Sequence, residues 1–316
     1  MVSTALWILA LLAGAAIITW GADEFSEHLG SAATRLGVST FALALLLAGA
    51  EPEELVTTVI AAIRGAPGIA IGDVIGANVT ICLVALGLGA VVAPLPFSRR
   101  VMAYAISGLP LGVSCAFFVW GGSIERWKGA LLVLFYVAFV GIIWVIERNP
   151  PTLGEMEEFK NSQVDTKESG AQALIRVLLG VLGMMAGASL LVEAVRRIAH
   201  VESSQTKIGL TIVGFATGFE LVVLACRAAK HGASEAVVAA AVGSFSYNVT
   251  MTLGAAAVVR PLRLRETPSI HLPVIAMVIS LAIVILLAAR KSQLRREEGL
   301  ALLGFYPVFV ASVLWK

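Results

Sequence analysis

Gly49-Ala50-Glu51-Pro52-Glu53-Glu54-Leu55-Val56-Thr57-Thr58 is the stretch on which the reading of this chain turns. It places three carboxylates and a proline inside a long apolar segment. An ionised carboxylate at the centre of a bilayer costs roughly 2.5–3.5 kcal/mol on insertion scales. A second stretch, Gly214-Phe215-Ala216-Thr217-Gly218-Phe219-Glu220-Leu221-Val222-Val223, puts Glu220 in the place corresponding to Glu54. A chain that accepts this cost twice, in matching places, uses the two carboxylates together. A bound cation would offset the cost by neutralising them.

The surrounding composition is that of a membrane protein. Of the 316 residues, 58% are hydrophobic and 14% charged, and the mean hydropathy is +0.90. Soluble domains carry about a quarter charged residues. At about 20 apolar residues per span, hydropathy divides the chain into ten spans, 3–20, 38–64, 68–94, 101–121, 128–147, 173–198, 206–230, 234–259, 270–290 and 298–315. The apolar stretch from Val2 to Trp20 has no basic leader and runs into Asp23-Glu24, so it reads as a first membrane helix rather than a signal peptide. The net charge of +2 gives no sign of a nucleic-acid partner. Cys82, Cys115 and Cys226 all lie in apolar segments, and their odd number argues against disulfides or a zinc site. They read as small core-filling residues. The expected partners are the lipid bilayer and inorganic cations, with the chain acting as a monomer. The expected location is the cell membrane, as a multi-pass protein.

The halves of the sequence align on each other. A shift of 166 residues brings Gly21-Ala22 onto Gly187-Ala188, Glu27 onto Glu193, Thr40 onto Thr206 and Glu54-Leu55-Val56 onto Glu220-Leu221-Val222. At a shift of 167, Gly65-Ala66 falls on Gly232-Ala233, Gly76 on Gly243 and Gly87 on Gly254. The polar, acidic interval from Arg148 to Gly170 separates five spans from five. The expected organisation is a first five-helix repeat over 1–147, a polar linker over 148–172 and a second five-helix repeat over 173–316. An odd number of spans per repeat makes the second enter the membrane from the opposite side, so the repeats are inverted, as in many secondary transporters. With both termini outside, inside segments hold about 13 Lys and Arg against about 10 outside, which favours a cytoplasmic linker.

Pro52 lacks a donor N–H and crowds the carbonyl four residues before it, while Gly49 adds freedom at the same point. The segment 38–64 is therefore expected to break or kink around 49–53. In the second repeat Gly214 and Gly218 loosen the matching stretch. Broken helices at membrane depth free carbonyls and helix ends that line ion sites. Helical spacing puts Glu51, Glu54, Thr57 and Thr58 on one face, and Thr217 one turn before Glu220. The next segment of each repeat adds Asp73, Asn78 and Thr80, or Ser244, Ser246 and Asn248, beside small residues that allow close helix approach. Oxygen-only ligands without clustered His or Cys suit a hard cation such as Ca2+, Na+ or Mg2+. The candidate ligands are Glu54, Glu220, Glu51, Asn248, Thr217, Ser244, Asp73, Asn78 and Thr57. Each has a plainer reading. Glu51 could cap a helix break, Glu53 could point to the interface, Asp73 could lie near an aqueous mouth, and any Ser or Thr could bond to its own backbone. Trp120, Trp127 and Trp144 read as interface anchors.

At these residues the chain resembles the cation/Ca2+ exchanger superfamily, especially compact prokaryotic sodium/calcium exchangers. The family pattern is a G-T-S-x-P-E element followed by G-N-x-x-G-S-N-x-x-[N/D] in each repeat. Here the first element reads Gly49-Ala50-Glu51-Pro52-Glu53-Glu54 and its counterpart Phe215-Ala216-Thr217-Gly218-Phe219-Glu220. The follow-up elements span Gly72–Ile81 and Ala239–Asn248. The resemblance implies ten helices in two inverted repeats, an all-α membrane fold broken at the midplane. It also implies Glu54 and Glu220 as central Ca2+ ligands. The sequence departs from the pattern: Ile81 stands at the first-repeat Asn position, Ala50-Glu51 replace a Thr-Ser pair that would help bind Na+, and Ala77 replaces a Ser. Glu51 adds a titratable group, which points toward proton coupling.

The expected activity is secondary antiport of Ca2+, or a similar cation, against Na+ or H+, with no cofactor. The long, ligand-poor spans 1 and 6 are expected to slide across a fixed site. A passive pore is a rival, as is a family member that binds ions without transporting them. Neither H-E-x-x-H nor G-x-S-x-G occurs, and no other compact catalytic set is present, so an enzyme is not expected.

Overall fold

The computed structural model describes residues 4–35, 49, 51–147, 170–230 and 234–315. The linker assigned to 148–172, and the part of the second span before Gly49, lie almost wholly outside the described residues. The fold is helical. Its helices are α1 (Thr4–Arg35), α2 (Pro52–Ile63), α3 (Pro67–Val92), α4 (Arg99–Trp120), α5 (Arg126–Glu147) and α6 (Gly170–Ile198). They continue as α7 (Glu202–Ile208, then a π segment Gly209–Val213 and Gly214–Thr217) and α8 (Phe219–Lys230). Helix α9 runs Ser234–Tyr247, through a π segment Asn248–Thr252, to Leu253–Val259, and is followed by α10 (Pro268–Lys291) and α11 (Arg296–Trp315). Among the described residues, nine stretches are long and apolar enough to cross a membrane.

Two of these stretches form the centre. In α3 and α9, 89% and 94% of the most apolar window is buried, against 22–50% in the other seven. Both carry small residues where neighbours come closest. A Cβ on Gly76 would sit 2.3 Å from the Leu210 carbonyl oxygen, and one on Gly214 would sit 2.5 Å from the Ala77 nitrogen. Helix α3 packs on α7 and α11, and α9 packs on α2 and α5.

Helix α1 continues for 32 residues, about 48 Å at 1.5 Å per residue. That exceeds the expected 3–20 segment, because Asp23, Glu24 and Glu27 do not end the helix. Glu24 is held instead by Arg176 on α6 at 3.2 Å. The α1–α6 contact runs over glycines: a Cβ on Gly14 would meet the Gly187 oxygen at 2.8 Å, and one on Gly21 the Gly180 oxygen at 2.7 Å. Short antiparallel bridges tie the helix ends together. Leu95-Pro96 (β1) pairs with Gln293-Leu294 (β4), and Ser123-Ile124 (β2) with Leu262-Arg263 (β3). The three cysteines carry free thiols. Trp120 and Trp127 are exposed near helix ends, as interface anchors would be.

Candidate functional site

The site begins just before α2. Gly49 has φ +73°, in the left-handed region that favours glycine. A Cβ there would also lie 2.1 Å from the Gly243 carbonyl carbon on α9. Glu51 is extended, with φ −119° and ψ 92°, and α2 starts at Pro52. Proline suits this first helical position because its missing N–H would have no intrahelical partner. The Glu51 carbonyl then accepts from the Glu54 and Leu55 N–H groups, both at 3.1 Å. Glu53 and Glu54 fall in the first turn of α2 and Glu220 in the first turn of α8. The positive end of a helix dipole favours a carboxylate by about 0.3–1 kcal/mol there. The second stretch is less sharply interrupted: Gly218 keeps near-helical angles and its N–H reaches the Gly214 carbonyl at 3.2 Å. The larger irregularity lies just before it, in the π segment Gly209–Val213.

Burial is the defining property of this cluster. Glu54, Thr57, Asp73, Asn78, Ser244 and Asn248 are 0% exposed, Thr217 is 3% and Glu51 7%. Glu220 is half-buried. Neither Glu54 oxygen, nor the Thr57 hydroxyl, has a hydrogen-bond partner among the described residues. A buried polar group without a partner costs several kcal/mol in a medium that cannot hydrogen-bond, so these atoms are the candidates for contact with a bound ion.

Asp73 organises the cluster. Its Oδ2 accepts from the Thr58 hydroxyl at 3.1 Å and its Oδ1 from the Thr217 hydroxyl at 2.9 Å. One carboxylate of α3 thereby ties α2 to α7. The plainer reading of Asp73, near an aqueous mouth, is corrected: it is wholly enclosed. The plainer reading of Glu53 is corrected too. Glu53 does not point to the interface but is 3% exposed, within electrostatic reach of Glu220 and Glu51. Glu54 lies within electrostatic reach of Asp73, Glu53 and Glu220. No basic side chain pairs with Glu53, Glu54 or Asp73 among the described residues. Sequence reasoning left Glu53 out of the candidate ligands because helical spacing groups Glu51 and Glu54 on one face and leaves Glu53 off it.

The amides form a second group across the centre. Asn248 donates to the Ser244 hydroxyl at 3.3 Å and to Asn78 Oδ1 at 3.5 Å, and its own Oδ1 accepts from Thr252 at 3.2 Å. Asn78 donates to the Met277 sulfur at 3.8 Å. Thr206, Ser246, Thr250 and Ser280 bond to carbonyls of their own helices, as membrane-embedded hydroxyls commonly do. The π segments Ile81–Ala85 and Asn248–Thr252 start at positions matched by the shift of 167. Ile81 and Asn248 thus hold the same place in α3 and α9 with opposite chemistry. Such π segments occur often at functional sites.

Among the described residues, no three His, Cys, Asp or Glu side chains are set to hold a metal ion by themselves. A cation bound here would draw on hydroxyl and amide oxygens as well as carboxylates, the donor set of a hard ion.

The sequence profile of the sodium/calcium exchanger protein family matches residues 6–145 and 172–315, most of the chain. The chain belongs to this family. It is a multi-pass membrane transporter of inorganic cations, not an enzyme. It is similar to an uncharacterized membrane protein, MJ0091, of Methanocaldococcus jannaschii, at 25% identity over 96% of each chain. It is also similar to the putative antiporter CaxA of Alkalimonas amylolytica, at 25% identity over 93% of this chain and 94% of that one. The sodium/calcium exchanger MaX1 of Methanosarcina acetivorans is 33% identical over 44% of this chain and 41% of its own. Among solved structures, the sodium-calcium exchanger NCX_Mj superposes with a TM-score of 0.63 and 22% identity, over 98% of this chain and 100% of that one. This last likeness is one of fold.

Proposed function

We propose that the chain is a secondary antiporter that exchanges Ca2+, or a similar cation, for Na+ or H+ by alternating access. The observation that carries this reading is Glu54, wholly buried with both oxygens unpartnered among the described residues, in a shell of carboxylates, hydroxyls and amides drawn from both halves of the chain. Glu54 and Glu220 are the central ligands of the substrate cation. Glu51, Thr57, Asp73, Asn78, Thr217, Ser244 and Asn248 supply or steady the remaining oxygens. A divalent ion would lower the mutual repulsion of the acids, and protons or Na+ would replace it on the return step. Names borne by relatives, a sodium/calcium exchanger and a putative antiporter, point the same way.

The proposed frame is two inverted repeats of five spans, 1–147 and 173–316, around a linker. Its support is an exchange pattern in the contacts. Gly49 approaches Gly243 while Gly214 approaches Gly76, and Gly87 approaches Gly299 while Gly254 approaches Gly129. The bridges β1–β4 and β2–β3 swap partners in the same manner. A pseudo-two-fold axis between the halves produces such pairs. Within this frame α1 and α6 slide over the site on their glycine-lined contact.

Glu51 stands where the family pattern has a hydroxyl, which favours protons as the counter-ion. The test is uptake of Ca2+ into vesicles holding the purified protein, with a Na+ gradient and a proton gradient imposed separately. Uptake driven by either gradient supports antiport. Uptake that ignores both gradients and follows the Ca2+ gradient alone would support a passive pore instead.

A further inference from the structure

A groove at one membrane face, outside the ion site, combines a cationic mouth with an apolar slot. The mouth is a cavity of about 450 Å3 lined by Ser203 and Lys207 of α7, Arg265 and Glu266 of the loop before α10, and Ser269 of α10. Leu272 and Ser312 belong both to this mouth and to a narrower cavity of about 230 Å3 that continues from it. The slot runs between α10 and α11, with Ile275 and Ile279 on one wall and Phe305 and Val308 on the other. Those four side chains are 40%, 49%, 45% and 64% exposed, so the slot opens sideways. Its floor is Val79 of α3, flanked by Asn78 and Thr80.

The mouth lies at the depth expected for headgroups. Helices α7 and α10 start on this face and α11 ends on it. Trp120 stacks on His271 here with ring centroids 4.2 Å apart, and Trp315 is 92% exposed. Tryptophans mark the membrane–water interface. The charged side chains lining the mouth are Lys207, Arg265 and Glu266, and the two basic ones offer the anion its partners. The neighbouring Glu202 is engaged by the Arg265 backbone N–H at 2.6 Å. A singly charged phosphodiester on an acyl chain complements this arrangement at both ends: anion at the mouth, hydrocarbon in the slot. The slot walls are apolar apart from Ser280 and Ser312, which argues against a soluble anion as the occupant.

We propose that this groove binds one phospholipid, its phosphodiester between Lys207 and Arg265 and one acyl chain between α10 and α11. The chain lies against Val79 and so braces the part of α3 that carries Asn78. The proposal is independent of which ions the protein exchanges.

The test is native mass spectrometry of the purified full-length protein titrated with phosphatidylglycerol. The comparison probes are glycerol phosphate, which has the head without the chains, and diacylglycerol, which has the chains without the phosphate. One saturable phosphatidylglycerol per chain is expected, with both comparison probes much weaker. Lys207→Ala with Arg265→Ala is expected to weaken binding about thirty-fold, from the usual contribution of two basic residues near an anionic lipid. Ile279→Trp, which fills the slot, is expected to abolish binding. Leu134→Trp, on the lipid-facing side of α5, is expected to leave it unchanged. Equal binding by wild type and both groove variants would overturn the proposal, as would equal weakening by Leu134→Trp. Glycerol phosphate binding as tightly as phosphatidylglycerol would overturn it too, leaving a soluble-anion site.

Discussion

Replacing Thr217 with valine removes one hydroxyl from Asp73 and leaves a side chain of nearly the same shape. The lost bond is 2.9 Å long and fully buried, and both Asp73 oxygens act as acceptors. Donation to both oxygens favours the ionised form of the carboxylate. Hydrogen bonds between helices in a membrane average about 0.6 kcal/mol and reach about 1.7, while bonds to charged groups are worth about 1.5–3. The overlap of these ranges sets the expectation: Thr217→Val costs about 1.5 kcal/mol. The Thr217 hydroxyl also reaches the Val213 carbonyl at 3.2 Å, so part of any loss is local to α7. A double-mutant cycle with Asp73→Asn removes that part. In the Asp73→Asn background the acceptor is neutral, and the same valine change should cost no more than about 0.6 kcal/mol. Unfolding free energies in mixed micelles titrated with a denaturing detergent provide the assay. A coupling of about 1 kcal/mol is expected. Equal cost of Thr217→Val in both backgrounds would refute Asp73 as a charge-assisted tie between α2 and α7.

Three further outcomes are expected. The segment around Met156–Lys167 and both chain termini should label from opposite faces of the membrane; labelling of all three from one face would break the five-plus-five frame. Carboxylates take up protons as pH falls, so cation transport should decline on acidification. Glu51→Ser should flatten that decline, and an unchanged pH profile in the variant would remove Glu51 from the coupling. Gly76→Val should prevent α3 from seating on α7, since even a Cβ there approaches the Leu210 oxygen to 2.3 Å. The purified variant should therefore unfold well below wild type, and a wild-type unfolding midpoint would show that the contact is looser than described.

Much of the site could be read from the sequence because charge in an apolar segment is conspicuous. Glu54 and Glu220 announce themselves by cost and by matching position, and Pro52 with Gly49 marks where α2 starts. Other parts left no such trace. A π segment inserts one residue into the hydrogen-bond ladder without altering the apolar character of the stretch, so Ile81–Ala85 and Asn248–Thr252 look like ordinary helix in sequence. Asp73 was legible as a candidate ligand, but its place one turn before a glycine contact equally suited an aqueous mouth. Its two hydroxyl partners lie 15 and 144 residues away in the chain, a distance no local pattern spans. Asp23, Glu24 and Glu27 mark a drop in hydropathy but not a helix end, because partners on α6 such as Arg176 are supplied only by the fold.

The central claim is that Glu54 binds the transported cation. Its most direct test is Ca2+ uptake by vesicles containing either wild-type protein or Glu54→Gln, under whichever gradient drives the wild type. Glutamine keeps the volume and removes the charge, so the variant is expected to fold, insert and fail to take up Ca2+. Uptake by Glu54→Gln at the wild-type rate would contradict the account.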